Sequence, residues 1–259
     1  MLNNRVINII VIICILVLFG LDKMAGYNIP LWAYLLPGLF FLPLIIWGVM
    51  NIGSGFFIKV TCYANTTEKV VALSFDDGPQ PAYTPEILDI LKKTQVPAVF
   101  FCIGKNIEGN ENLLKRIHEE GHVIGNHTYS HHFWFDMKPS GKMLEDMQEM
   151  DTFAIDVTGL QPRLFRPPYG VTNPNLARAI KAGDYLPVGW NIRSLDTVAK
   201  DENKLLDKII NELKPGAVIL LHDTCKITAD ILPQLITAIR QQGYRLERID
   251  KMLKLPAYA

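Results

Sequence analysis

Residues 70–79 read Val-Val-Ala-Leu-Ser-Phe-Asp-Asp-Gly-Pro, an apolar run that ends in two adjacent carboxylates. The run from Val70 to Phe75 predicts a buried strand. Neighbouring side chains of a strand point to opposite faces unless the strand ends there, so Asp76 and Asp77 can take different tasks at its end. One can hold a cation while the other accepts a proton. The alternative reading of two Asp before Gly-Pro is a turn that caps itself.

About fifty residues later the chain reads His-Thr-Tyr-Ser-His, residues 127–131. On a helical turn, side chains four residues apart project from one face, so His127 and His131 could grip a single ion. An Asp with two His leaves coordination positions free for water. The combination therefore predicts an open metal site of the hydrolytic type.

Further motifs follow in a fixed order: Arg166-Pro167-Pro168-Tyr169, then Trp190 with Ser194-Leu195-Asp196, then Val218-Ile219-Leu220-Leu221-His222-Asp223. With these motifs the chain resembles the polysaccharide deacetylases, carbohydrate esterase family four, which carry the NodB-homology domain. The resemblance covers roughly residues 69–249, and four of its five motifs match closely.

The resemblance implies a role for each matched residue. It assigns Asp76 as general base, Asp77, His127 and His131 as metal ligands, Tyr169 with Pro168 as the oxyanion and substrate contacts, His222 as general acid, and Arg166 and Asp196 as the partners that orient base and acid. A guanidinium favours the ionised form of a nearby carboxylate, and a carboxylate favours imidazolium. The implied cofactor is a divalent metal ion. Zinc is the first expectation for Asp-His-His, with cobalt, nickel and manganese as alternatives.

Three positions depart from the family pattern. In the fourth motif, Arg193 replaces an Asp and Thr197 replaces a Trp, so we expect the substrate pocket to differ rather than the chemistry. In the second motif, His132 stands where a Pro is usual, and we expect it to be exposed rather than a ligand. Residues 133–135, Phe-Trp-Phe, suit either sugar stacking or a packed loop.

Around these motifs, apolar runs alternate with amphipathic stretches. The predicted strands are 70–75, 98–103, 123–125, 164–166, 185–190 and 217–221, and the predicted helices are 84–93, 112–119, 140–157, 174–181, 202–213 and 231–241. This alternation favours a parallel sheet covered by helices on both faces. The motif residues follow strand ends, as barrel active sites do. We therefore predict an α/β fold, and the resemblance implies a distorted (β/α) barrel of about seven strands.

The first 58 residues are of another kind. No charged residue occurs from Val6 to Leu21 or from Met24 to Ile58. We predict two transmembrane helices joined by a turn at Asp22 and Lys23, with a cleaved signal peptide as the alternative for the first. Residues 1–58 are thus the expected membrane anchor and residues 59–259 the expected catalytic domain.

Charge limits the partners of the domain. The chain has 26 Lys and Arg and 26 Asp and Glu, and only Arg5, Asp22 and Lys23 fall in the anchor. Nucleic-acid binding needs a basic surface, which a nearly neutral domain is not expected to have, whereas a neutral glycan suits such a domain. Two crossings return the domain to the side of the N-terminus. The charge asymmetry is too small to orient them, but the resemblance favours the external face of a bacterial cytoplasmic membrane.

The sequence thus predicts a membrane-anchored, metal-dependent hydrolase that removes N-acetyl groups from amino sugars of a peptidoglycan-like or chitin-like glycan. Two alternatives come from other classes. One is an amidohydrolase acting on a small non-peptide amide, which a deep closed pocket would favour. The other is a non-catalytic glycan-binding relic, in which the altered fourth motif has ended catalysis.

Overall fold

The computed structural model describes residues 3–259, which form an apolar helical hairpin followed by an α/β domain. The domain strands are β1 Val70–Asp76, β2 Ala98–Cys102, β3 Val123–Asn126, β4 Leu164–Phe165, β5 Leu186–Pro187, β6 Ile192–Arg193, β7 Ala217–His222 and β8 Arg245–Leu246. The helices are α1 Asn4–Met24, α2 Leu36–Met50, α3 Thr84–Thr94, α4 Gly104–Ile107, α5 Glu111–Glu119, α6 Ser140–Thr158, α7 Pro174–Ala182, α8 Glu202–Asn211, α9 Lys226–Gln241 and α10 Ile249–Leu253.

Seven strands form one curled sheet in the order β5-β4-β3-β2-β1-β7-β6, and every pairing is parallel. The eighth strand, β8, pairs with the start of β1. Residues 188–191 lead from β5 at one edge of the order to β6 at the other. The Val188 N–H donates to the Phe165 carbonyl, and the Asn191 N–H donates to the Val218 carbonyl. The predicted distorted barrel of about seven strands is confirmed.

The alternation of β1 explains its apolar run. Val71, Leu73 and Phe75 pack in the core beneath the helices, whereas Val70 and Ala72 pack in a second core inside the curl. Successive strand side chains point to opposite faces, so both faces must be apolar when both are covered. The second core also receives residues 249–257, which the sequence patterns did not single out.

Several predicted bounds change. The predicted strand 185–190 is regular only at Leu186–Pro187, because the chain then crosses between the sheet edges. The predicted helix 231–241 begins at Lys226, five residues earlier. Strands β6 and β8 and helices α4 and α10 are too short to leave a periodic signal.

The hairpin joins α1 to a 3₁₀ helix at Leu31–Leu35 that continues into α2. Both helical stretches, Asn4–Met24 and Leu31–Met50, are long and apolar enough to cross a membrane. The predicted turn position is wrong. Asp22 and Lys23 lie in the last turn of α1, and the chain reverses over residues 25–30, where Gly26 has a φ of +70°.

Candidate active site

A cavity of about 230 Å³ lies at the carboxyl ends of the central strands. It is lined by Asp76, Asp77, His127, His131, Pro167, Tyr169, Trp190, Arg193, Leu195, Thr197, Leu220 and His222. β1 ends at Asp76, whose register partner in β7 is His222. Because parallel strands bring their carboxyl ends to one edge, residues 146 positions apart meet here.

Arg166 and Asp76 form a buried ion pair behind this cavity. Arg166 Nη1 donates to Asp76 Oδ1 at 2.6 Å, and the guanidinium is fully buried. The other guanidinium nitrogens donate to the Val188 and Gly189 carbonyls, and the Phe101 ring lies 4.0 Å from its Cζ. Burial lowers the pKa of Arg166, while the charge of Asp76 opposes that shift. The pair fixes Oδ1 and leaves Oδ2 of Asp76 on the side of His127, 3.8 Å from its Nε2.

Asp77, His127 and His131 form a compact donor set for a cation. Asp77 Oδ1 lies 3.4 Å from His127 Nε2 and 3.5 Å from His131 Nε2, and the three donor atoms lie within 4.8 Å of one another. His127 Nδ1 is 2.7 Å from the Arg166 carbonyl, which requires the proton on Nδ1, so that in the neutral imidazole the Nε2 lone pair faces the set. This is the outer hydrogen bond that metal-binding histidines usually make.

The electrostatics agree with a cation at this place. Burial, and then the charge of His127, lower the pKa of His131 to about 4, so its imidazole is neutral and free to ligate. Burial disfavours charge on Asp77, yet its hydrogen bond with His127 and the charge of the protonated His222 lower its pKa to about 2. The residues therefore fit a divalent metal ion.

The loop conformation that brings His127 and His131 together was not predicted from the sequence. Residues 127–131 form no helical turn: Thr128 and His131 have φ of +66° and +41°. The loop is held from α6 by Asp146, whose Oδ1 accepts from the N–H groups of Tyr129 and Ser130. The prediction of a helical turn was wrong because a residue fifteen positions beyond His131 shapes the loop.

His222 and Asp196 form the second buried pair. His222 Nδ1 lies 2.7 Å from Asp196 Oδ1, and the His222 N–H donates to Asp196 Oδ2. Thr228 Oγ1 donates to the same Oδ2 at 2.6 Å. Burial opposes the charged imidazole, but the hydrogen bond and charge of Asp196, with the charges of Asp76 and Asp77, raise the pKa of His222 to about 9. The imidazole is thus held protonated near neutral pH, with Nε2 as its free end.

Tyr169 sits in strained backbone at the rim. Its φ is +56°, in the left-handed region that few non-glycine residues occupy. Among residues 3–259 its backbone N–H has no hydrogen-bond acceptor. The ring is half exposed and lies 4.9 Å from the His131 ring. Pro168 is buried, and the cavity is lined by Pro167 instead.

Two polar residues that sequence reasoning passed over support the pairs. Ser74 accepts from Arg166 Nη1 at 2.9 Å and donates to the Ile219 carbonyl. A lone hydroxyl in an otherwise apolar strand was the available signal. Thr228, which anchors Asp196, gave no signal because it lies at the start of a helix whose beginning was placed too late.

The positions that depart from the family motifs lie around the cavity rather than among the paired groups. Arg193 and Thr197 line the cavity wall. His132 is exposed, and its Nδ1 accepts from the Trp134 N–H. In the aromatic cluster Phe135 is fully buried, whereas Phe133 and Trp134 are exposed, and the Phe133 ring lies 6.2 Å from the Tyr169 ring.

Comparison with known proteins fits this geometry. Residues 63–188 match the family model of the polysaccharide deacetylases. The peptidoglycan-N-acetylmuramic acid deacetylase PdaA of Bacillus subtilis is 34% identical over 193 residues, which are 73% of each chain. A peptidoglycan-N-acetylglucosamine deacetylase of Bacillus cereus is 33% identical over 204 residues, covering 75% of this chain and 93% of that one.

Solved structures give the same result. The peptidoglycan N-acetylglucosamine deacetylase Bc1960 superposes with a TM-score of 0.73 at 30% identity, covering 77% of this chain and 95% of that one. BA3943 of Bacillus anthracis, described as a pseudoenzyme of carbohydrate esterase family four, has a TM-score of 0.69 at 26% identity and covers 74% and 68%. The motifs, the curled parallel sheet and these likenesses together place the chain: it belongs to the polysaccharide deacetylase family.

Proposed function

We propose that this protein is a zinc-dependent deacetylase that removes N-acetyl groups from amino sugars of a bacterial cell-envelope glycan. The chain is a hydrolase of the polysaccharide deacetylase family, whose relatives named above are peptidoglycan deacetylases. The observation that carries the proposal is the joint presence of the Asp77-His127-His131 donor set and two buried pairs, Arg166–Asp76 and Asp196–His222, around one cavity.

Asp77, His127 and His131 would hold the ion. When bound, a divalent ion supplies Lewis acidity that lowers the pKa of water and polarises a carbonyl. Imidazole nitrogens with one carboxylate oxygen suit zinc, although cobalt, nickel and manganese accept the same donors.

The proton steps belong to the two buried pairs. Arg166 holds one oxygen of Asp76, so Oδ2 is free to take a proton from the attacking water. His222 Nε2 donates a proton to the leaving amine nitrogen, because an amide anion is a very poor leaving group. Asp196 keeps that imidazole protonated and oriented. The unengaged N–H of Tyr169 is available to the oxyanion.

Acetate release tests the proposal. The full chain in detergent, offered N-acetylglucosamine oligomers and peptidoglycan fragments, is expected to release acetate. A chelator should stop release and added zinc should restore it. Folded, zinc-loaded protein that releases acetate from none of these glycans would contradict the proposal.

Zinc affinity distinguishes the proposed ligand His131 from its neighbour His132. Because His131 belongs to the donor set, His131→Ala should lower zinc affinity by more than about 100-fold, beyond the 10- to 100-fold typical of outer-sphere partners. His132→Ala is the matched control, since His132 is exposed and its imidazole accepts only from the Trp134 N–H. Zinc titration after dialysis measures both. Equal losses in the two variants would rule out the assignment of His131.

The pH profile tests the acid. His222 is active when protonated, so kcat/KM should fall as pH rises through about 9. Asp196→Asn removes the negative charge that offsets the burial of the His222 imidazolium, so the pKa of His222 should fall. The alkaline limb should then move toward or below the ordinary histidine pKa of about 6.5. Asp201→Asn, which alters an exposed helix cap and its ion pair with Lys204, should leave the limb in place. An unmoved limb in Asp196→Asn would exclude His222 as the titrating acid.

Two alternatives are less well supported. A small-amide hydrolase would have a closed pocket, whereas this cavity adjoins a groove of about 470 Å³ that shares Trp190, Arg193 and Leu195 with it. The non-catalytic alternative has a precedent in BA3943, which is described as a pseudoenzyme. Here the proposed base, acid and donor set all face one cavity, which favours catalysis.

The proposal includes the membrane. α1 has 21 residues and so spans about 31 Å, close to the hydrocarbon thickness of a bilayer. Most large apolar side chains of the hairpin are exposed. The Asn4 N–H donates to the Phe56 carbonyl, so both ends of the hairpin adjoin the domain. We accordingly propose residues 1–58 as a two-span anchor in the bacterial cytoplasmic membrane, with the domain on its external face.

A further inference from the structure

The end of α2 is tied to the loop that carries Tyr169. The Thr172 N–H donates to the Val49 carbonyl at 3.0 Å, and Thr172 Oγ1 donates to the Gly48 carbonyl at 3.3 Å. Thr172 follows Tyr169 by only three residues. The last turn of the second apolar helix is therefore held beside the reaction centre rather than on a flexible linker.

Apolar packing reinforces this contact. Ile52, two residues beyond α2, is buried. A Cβ added at Gly189 would lie 3.0 Å from Ile52 Cδ1, and one added at Gly170 would lie 3.7 Å from Ile52 Cβ. Ile52 thus fills the space between the Tyr169 loop and the chain that follows β5. Ile52 and Thr172 together attach the end of α2 to the domain.

A groove leads from the cavity to the hairpin. Trp190, Arg193 and Leu195 line both, and residues 51–53, directly after α2, also line the groove. If α2 spans the bilayer, residues 51–53 lie at the level of the lipid head groups. A ligand that extends from the cavity along the groove arrives at the membrane surface.

Exposed apolar side chains are concentrated in the loops around the cavity. Eight large hydrophobic side chains are exposed between residues 59 and 259, and six of them lie in the loops after β3, β4 and β6: Phe133, Trp134, Met137, Tyr169, Leu195 and Val198. Phe133, Trp134, Met137 and Val198 are each 60–75% exposed. Asn173 Nδ2 donates to the Asp136 carbonyl, which joins the first of these loops to the segment that holds α2. Exposed aromatic residues next to a membrane anchor are typical of side chains at a bilayer interface.

Arg193 supplies an uncommitted positive charge at the junction of cavity and groove. Within residues 3–259 its exposed guanidinium forms neither an ion pair nor a hydrogen bond. The nearby Lys208 is already engaged, because its Nζ donates to the Arg193 carbonyl and to Glu212. A guanidinium suits a phosphate, to which it can donate two parallel hydrogen bonds.

Along this path the cavity comes first, the Arg193 guanidinium second, and residues 51–53 at the proposed membrane surface last. We propose that the substrate is an N-acetylated amino sugar attached to a membrane lipid through a phosphate or diphosphate. The acetamido group enters the cavity, the phosphate binds Arg193, and the lipid chain stays in the bilayer beyond residues 51–53. This inference rests on the proposed deacetylase function and specifies its substrate class.

The test uses the full chain in phosphatidylcholine vesicles and four substrates. These are N-acetylglucosamine linked by diphosphate to a polyprenol, N-acetylglucosamine 1-phosphate, a neutral chitin tetramer, and soluble peptidoglycan fragments that carry muramic acid carboxylates. We expect kcat/KM for acetate release to be highest for the lipid-linked sugar. Arg193→Ala should reduce that value about 10- to 100-fold more than the value for the tetramer, the size of a lost charge-assisted hydrogen bond. Arg193→Lys should recover part of it.

Arg245→Ala is the matched control, because Arg245 is an exposed arginine in β8 near the opposite end of β1. It should leave all four values unchanged. Equal turnover of the lipid-linked and soluble phosphates would overturn the membrane half of the proposal, and fastest turnover of peptidoglycan fragments would overturn the substrate class. Both outcomes keep the deacetylase function, whereas zinc-loaded protein without acetate release from any substrate rejects the function itself.

A second variant examines the apolar mouth. Phe133→Ser combined with Trp134→Ser should lower turnover of the vesicle-borne substrate about 10-fold, from partial burial of two rings, and much less in detergent. Ile155→Ser removes an exposed apolar side chain from α6 and is the control. Equal losses in vesicles and in detergent, or a loss on the chitin tetramer of the same size, would assign these rings to glycan stacking and contradict contact with the bilayer.

Discussion

Asp76→Asn is expected to lower kcat for acetate release by about 10²- to 10⁴-fold, the usual contribution of a general base. An amide side chain has nearly the same shape but cannot take a proton from water. Arg166 keeps acceptors at Ser74, Val188 and Gly189, so the guanidinium remains hydrogen-bonded in the variant. The loss should therefore come from chemistry rather than from collapse of the site.

Three measurements on the Asp76→Asn protein separate those causes. Zinc content should stay near the parent value, because Asp76 lies outside the donor set of Asp77 and the two histidines. KM should change far less than kcat, and the near-ultraviolet circular dichroism should be retained. Turnover within 10-fold of the parent in a folded, zinc-loaded variant would exclude Asp76 as the base and direct attention to another proton acceptor.

The sequence was informative where its apolar pattern is compatible with only one kind of environment. A strand with apolar residues on both faces must be covered on both faces, so β1 could be predicted from Val70 to Phe75. The carboxylates directly after it then had to lie at the carboxyl edge of a parallel sheet. The resemblance contributed the proposed residue roles, and the structure brings Asp76, the donor set and His222 to one cavity.

What could not be predicted depends on contacts between distant residues. The loop that carries His127 and His131 takes its shape from Asp146 on α6, and local spacing suggested a helical turn instead. The fixed contact between the hairpin and the Tyr169 loop depends on Thr172, an unremarkable residue in sequence. Periodicity describes which face of an element is buried, but it does not describe which partner covers that face.

The largest expected effect on stability comes from Arg166→Met. Arg166 is the largest fully buried side chain in the described chain, and its removal leaves the buried Asp76 carboxylate without its cation. Breaking one side of a buried ion pair costs about 3–5 kcal/mol, because the remaining charge is uncompensated. We expect the free energy of unfolding to fall by that amount, measured by urea titration in detergent with a chelator present so that bound metal does not contribute.

Substitutions of Arg166 and of Asp76 should lower the free energy of unfolding by different amounts. Asp76→Asn leaves a guanidinium with neutral acceptors and the Phe101 ring, whereas Arg166→Met leaves a carboxylate with none of these. The single change at Arg166 should therefore cost more than the change at Asp76, and adding Asp76→Asn to Arg166→Met should restore part of the loss. Arg163→Met is the matched control: its ion pair with Asp184 is also 2.6 Å long but exposed, and it should cost no more than about 1 kcal/mol. Equal costs for Arg163→Met and Arg166→Met would show that burial of the Arg166–Asp76 pair does not govern its contribution to the fold.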